Sequence, residues 1–260
     1  AEADRAYPAG VAALADAHWP LAVEERPGLE DGPVWCAVSV DSHTRGGRRS
    51  LGLRLQRSTR RLLVYTELTE EGLMLPRAAR CGACGLSVLA ETADGLLVLA
   101  RGAERLGGDG RWLKSAVAGR TVDSPDLTEV LRGALAAEGG VVGDVPAALG
   151  SARLLGVLEL AEGEPQGPAA PTGHRHELLF GVRLAATASE VCASSADGQR
   201  EAGSALLFVS FCAPAAPQLS ASAGAPTATA VDDLLREEVH RLAAPTGPAL
   251  TLLRALRAGA

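Results

Sequence analysis

The chain has 260 residues, 47% of them apolar and 22% charged, with a formal net charge of −6. That length suffices for one large core, or for a core with a smaller unit appended, while the acidic balance argues against a general nucleic-acid or membrane-surface binder, which needs a basic excess. Aromatic residues make up only 3%, Ile and Asn are absent, and 24 arginines stand against a single lysine; the depleted residues have A/T-rich codons, so the arginine excess reflects coding bias and is not in itself an anion-binding signature.

In chain order, VAALADAHW (11–19) predicts a short helix, and PGLEDGP breaks the chain before strands begin. VWCAVSV (34–40), LGLRLQ (51–56) and LLVYT (62–66) read as short strands separated by Gly/Arg turns. Together they predict a β-rich N-terminal unit over residues 1–80, its strands ending near Pro76. Seven arginines, Arg45, Arg48, Arg49, Arg54, Arg57, Arg60 and Arg61, lie around this alternation and read as the solvated face and turns of a hairpin.

GLSVLAET, ADG and LLVLAR then predict two buried strands joined by an Asp-Gly turn. RWLKSAVAG (111–119) is a third strand candidate. The helix that follows contains LTEVLRGALAAEGGVV (127–142): Ser124 is placed to cap it, Pro125 fits its first position and Asp126 suits the positive end of its dipole. Gly139 and Gly140 offer a left-handed ending. RLLGVLELA (153–161), HELLFGVRLAA (176–186) and SALLFVSF (204–211) are further strands, the first two separated by the loop EGEPQGPAAPTGHR. Residues 213–230 form a low-complexity linker, after which VDDLLREEVHRLA and PALTLLRALRA show helical apolar spacing.

Five cysteines, Cys36, Cys81, Cys84, Cys192 and Cys212, are too few and scattered for a disulfide framework. A zinc site from Cys81, Cys84, His174 and His176 would need a closed tetrahedral set, and one-residue histidine spacing is not the usual three to five. The CxxC also precedes a strand rather than opening a helix, so structural cysteines in a reduced intracellular setting are expected, cytoplasmic or, if a leader has been removed, organellar. No stretch is long enough to span a membrane, and no nucleophile elbow, phosphate loop or dinucleotide fingerprint occurs.

One charge stands out. Leu127, Val130, Leu131, Ala134 and Leu135 follow the helical stripe rule, and Glu138 continues it. The negative end of the helix dipole disfavours an anion there by a few tenths to about 1 kcal/mol, and burial without a partner would cost several times more. Either a cation meets Glu138, or the last turn lets it reach solvent.

GLSVLAETADGLLVLARGAERLGGDGRWLKSAVAG resembles the opening of Nudix domains, and GALAAEGGV (133–141) resembles the end of the Nudix box, Gx5Ex7REUxEExGU with U aliphatic. With Gly119 as the first glycine, Gly140 falls on the last, and Leu135 and Val141 fall on aliphatic positions. The layout is similar to that of Nudix proteins acting on UDP-glucose and UDP-galactose. The resemblance implies a Nudix-type α/β/α sandwich with a mixed sheet over residues 81–260. It also implies a family chemistry of Mg2+-assisted attack of water on a diphosphate, the metal being held by several glutamates of one helix.

The motif is degenerate here. Its lone glutamate falls on Pro125, its arginine on Gly133, the next glutamate on Ala134, and the paired glutamates on Ala137 and Glu138. A shift by one places Arg132 on the arginine but leaves Ala136 and Ala137 on the paired acids. Glu138 is therefore the one catalytic and metal-binding candidate, and Arg101, Arg105, Lys114 and Gly119 are the substrate-binding candidates; Arg101 and Arg105 read equally as a solvated strand end. Glu159, Glu162 or Glu177 would supply a downstream acid. The expectation is a nucleotide-sugar type Nudix protein with hydrolysis lost or weak, using Mg2+ if activity remains. The alternative is a non-catalytic module that binds a diphosphate ligand or serves as a structural subunit with protein partners.

Overall fold

The computed structural model describes residues 6–45, 48–101, 113–115, 117–159, 174–197, 206–210, 228–230, 250–251 and 253. The first helix is longer than expected, α1 Val11–Glu25. It is followed by a long hairpin, β1 Pro33–Arg45 and β2 Arg48–Thr59. Arg54 and Arg57 are exposed, as the solvated-face reading requires, whereas Arg61 bridges Asp16 and Asp31 at 2.7 and 2.8 Å.

LLVYT is not a strand. It lies in a helix, α2 Arg60–Leu68, whose first turn is closed by Thr59 Oγ1 accepting from Leu62 N. Its β-prone residues are overridden by that cap and by burial of Leu63, Val64, Tyr65 and Thr66 on consecutive faces. A short helix, α3 Glu70–Leu73, then folds back so tightly that a Cβ on Gly72 would collide with the Tyr65 carbonyl oxygen.

The predicted buried hairpin is present as β3 Ala83–Glu91 and β4 Leu97–Arg101, turning at Gly95 with φ 83°, a conformation suited to glycine. The third candidate divides into β5 Leu113–Ser115 and β6 Val117–Thr121. Helix α4 Leu127–Ala137 follows, then two short helices, α5 Gly139–Val142 and α6 Val145–Gly150. Strand β7 Arg153–Glu159, strand β8 His174–Arg183, helix α7 Ala188–Asp197 and strand β9 Leu206–Ser210 complete most of the order.

The end of the expected linker is ordered into β10 Ala228–Ala230, which adds to β9 in parallel and satisfies its backbone on the sheet edge. The closing helices lie almost wholly outside the described residues; of them, Leu250 is helical and fully buried.

All ten strands among the described residues belong to one open, mixed sheet, with helices flanking it, so the molecule is an α/β sandwich. Strand β3 is its axis. It runs parallel to β8 along its whole length, while β1, β6 and β4 pair with its first, middle and last residues in turn.

Alternation along β3 separates the two faces. Cys84, Leu86, Val88 and Ala90 join Val130, Leu131, Ala134 and Leu135 of α4 in the main core. Ala83 faces Val34, Cys36, Leu63 and Cys81, and Leu89 meets Leu97, Leu99, Leu179, Val209 and Leu250. Among the described residues, no helix is long and apolar enough to cross a membrane.

Candidate functional site

Helix α4 leads directly into Glu138, the charge that stands out in the sequence. Its start differs from expectation: Asp126, not Ser124, is the cap, accepting from Thr128 N at 2.9 Å, so Pro125 lies outside the helix. Ser124 Oγ accepts from Asp126 N at 3.2 Å and donates to Glu129 Oε2 at 2.9 Å, which engages the one acid of the first turn.

The end differs as well. The helix breaks at Glu138, with φ −110° and ψ 37°, and Gly139 and Gly140 start the next helical turn instead of adopting the left-handed form. That role falls to Gly143, with φ 64°. The break rotates Glu138 out of the stripe formed by Val130, Leu131, Ala134 and Leu135. Its side chain is half-buried and, among the described residues, forms no hydrogen bond or ion pair. Solvent access at this corner removes the need for the buried cation that an unbroken helix would have demanded.

Arg120 on β6 reaches across α4 from the sheet. A Cβ at Gly133 would fall 2.6 Å from its Nη1, so the guanidinium occupies the space above Gly133. The position that the motif gives to an arginine is thus covered by one from a neighbouring strand.

The remaining candidates are dispersed. Arg101 and Lys114 stand on neighbouring strands, in the adjacent register pairs Arg101↔Leu113 and Ala100↔Lys114. Gly119 lies on β6; Arg105 and Glu162 are outside the described residues. Glu177, on β8, shares its face with Leu179 rather than with Leu178, which places it across the sheet from α4. It is 3% exposed, and Ser87 Oγ donates to its Oε1 at 2.5 Å. Among the described residues, no three His, Cys, Asp or Glu side chains converge to hold a metal ion.

The cysteine pair CGAC is also divided between faces. Cys81 packs with Cys36, while Cys84 enters the main core opposite His176 in register. Burial, with the Glu177 charge adding to it, pushes the Cys84 thiol up to about 12, so it stays protonated and inert.

A concavity of about 810 Å³ lies on β1 where a bulge falls between Ala37 and Ser39. Gln56, Arg77, Glu159 and His176 give it polar walls, and Arg77 Nη2 donates to Glu159 Oε1 at 2.5 Å. Glu159 was a candidate from sequence. Arg77 was not, because the partners are 82 residues apart and only the fold brings them together. Compared with known protein families and with characterised proteins, the chain matches none.

Proposed function

We propose that the chain is a Nudix-type protein related to nucleoside diphosphate-sugar hydrolases, in which hydrolysis is lost or weak and ligand binding is the retained property. The arrangement of acids on α4 carries this reading. Glu138 is the single carboxylate at a motif position, it sits at a helix break, and the other acid of the helix, Glu129, is held by Ser124. Mg2+ keeps several waters and relies on one or two well-placed carboxylates together with substrate phosphate; one half-buried carboxylate at a kink does not fit a metal cluster that must neutralise a diphosphate and activate water.

The order of hairpin, strand and helix from β3 to α4 supports the family relationship, and the cover of Gly133 by Arg120 offers a positive charge beside the same helix. A guanidinium is well matched to phosphate oxygens, with a planar fork of donors that needs no metal.

A thermal-shift titration tests the binding claim. UDP-glucose should raise the melting temperature without divalent cation, through a stabilisation of about 2.7 kcal/mol at a ligand concentration 100 times Kd. Arg120→Ala should remove most of the shift. A shift that appears only with Mg2+ or Mn2+, or no shift with any nucleotide sugar, contradicts the proposal.

A further inference from the structure

We infer that Cys36 and Cys81 are a redox modification site: a peroxide converts this buried dithiol into a disulfide that ties β1 to the entry of β3. The inference is independent of the function proposed above.

The two sulfurs are 3.5 Å apart and both residues are fully buried. Their approach is built by the sheet. Cys36 is the residue of β1 that stands next to β3, in register with Ala83, and Gly82, with φ 58°, turns the chain immediately before that residue. The bend is held on both sides: Cys81 N donates to Thr66 Oγ1 at 2.9 Å, and Gly82 N donates to Glu67 Oε1 at 2.8 Å. A disulfide of about 2.0 Å requires the two sulfurs to close that gap.

The surroundings distinguish the two thiols. Ser58 Oγ lies 3.4 Å from Cys81 Sγ and is itself 2.6 Å from the Tyr7 hydroxyl. A hydrogen bond from Cys36, reinforced by Ser58 and Tyr7 and opposed by burial, holds the Cys81 thiol below its ordinary value. Cys81, the sulfur with the Ser58 hydroxyl beside it, is assigned as the attacking sulfur and Cys36 as the resolving one, while Cys84, which points into the main core, is a spectator.

The steps balance. The Cys81 thiolate attacks one oxygen of hydrogen peroxide, the O–O bond breaks, and the departing hydroxide takes a proton to become water, leaving a sulfenic acid. The Cys36 sulfur, its proton passing to the departing oxygen, then displaces the hydroxyl from Cys81 as a second water and forms the S–S bond. Each sulfur gives one electron and the peroxide takes two. A small-molecule thiol reverses the change by thiol–disulfide exchange. Since both sulfurs are buried, peroxide reaches them only on local opening, which sets the rate.

The test uses the whole chain. After graded hydrogen peroxide, alkylation and digestion, mass spectrometry should find a Cys36–Cys81 linked peptide, and denatured protein should titrate two thiols fewer than its five cysteines. Dithiothreitol should restore them, and the oxidised form should melt several degrees higher than the reduced one. A Cys84→Ser, Cys192→Ser protein should retain the link, and Cys36→Ser should lose it and let Cys81 proceed to sulfinic acid. The inference is overturned if exposed Cys192 is fully modified with no Cys36–Cys81 peptide, or if the link joins other cysteines. Because wild-type protein gives the primary readout, misfolding of a variant would not obscure the result.

Discussion

The corner where β1, α2 and β3 meet and the end of α4 both place polar groups at the edge of the core, and they solve the problem in opposite ways. At the corner, Thr66 is fully buried, its hydroxyl donating to Leu62 O at 2.7 Å and accepting from Cys81 N at 2.9 Å. At the end of α4, Glu138 forms no such bonds among the described residues, is half-buried, and stands where the helix breaks. A satisfied polar network rigidifies its region, whereas a lone carboxylate is tolerated only where water reaches it. The difference teaches that the chain spends its buried polar order on joining the N-terminal hairpin to the sheet, not on the helix where the motif would place its chemistry.

Matched glycine substitutions should break or sharpen this contrast most strongly. Gly72→Ala forces a methyl into the backbone of Tyr65 and Thr66, and should cost about 3 kcal/mol in urea unfolding, the upper part of the overpacking range. Gly133→Ala meets only the mobile tip of Arg120, and should be neutral or gain up to about 1 kcal/mol from helix propensity. Equal costs would erase the distinction between the two regions.

Thr66→Val, close to isosteric, removes the acceptor of Cys81 N and should destabilise by about 1–3 kcal/mol. Asp126→Ala, which deletes the cap of α4, should cost about 1 kcal/mol on the same assay. Smallest of all, Glu138→Gln should change stability by no more than about 0.5 kcal/mol, as for a surface position; a loss of several kcal/mol would reveal a buried partner for the carboxylate.

Much of the α/β architecture was legible because its signals are local. The TADG turn with an apolar run on each side specified β3 and β4, and the apolar stripe of α4 specified its buried face. Two helices were overlooked although their signals were present. Thr187 and Glu190 form a reciprocal cap before α7, with Thr187 N donating to Glu190 Oε2 at 2.7 Å, and the sequence TASE carries that capping signature. Asp144 likewise caps α6, bonding Ala147 N at 2.9 Å, with proline in its first turn.

LLVYT carries strand-favouring residues, and it is the Thr59 cap together with packing against α1, including the His18 and Tyr65 rings at 5.9 Å, that decides for helix α2. The candidate site was less legible than the fold. Gly133 pointed to a missing arginine, but its cover by Arg120 depends on how β6 lies over α4. The approach of Cys36 to Cys81 spans 45 residues and depends on register, not on any motif.

Under the proposed function, α4 supports little or no metal-dependent hydrolysis of a diphosphate. Release of nucleoside monophosphate from UDP-glucose and ADP-ribose, followed with Mg2+ and with Mn2+, tests it most directly. The account predicts the same background release from the wild-type chain and from Glu138→Gln; turnover by the wild type that Glu138→Gln abolishes would contradict it.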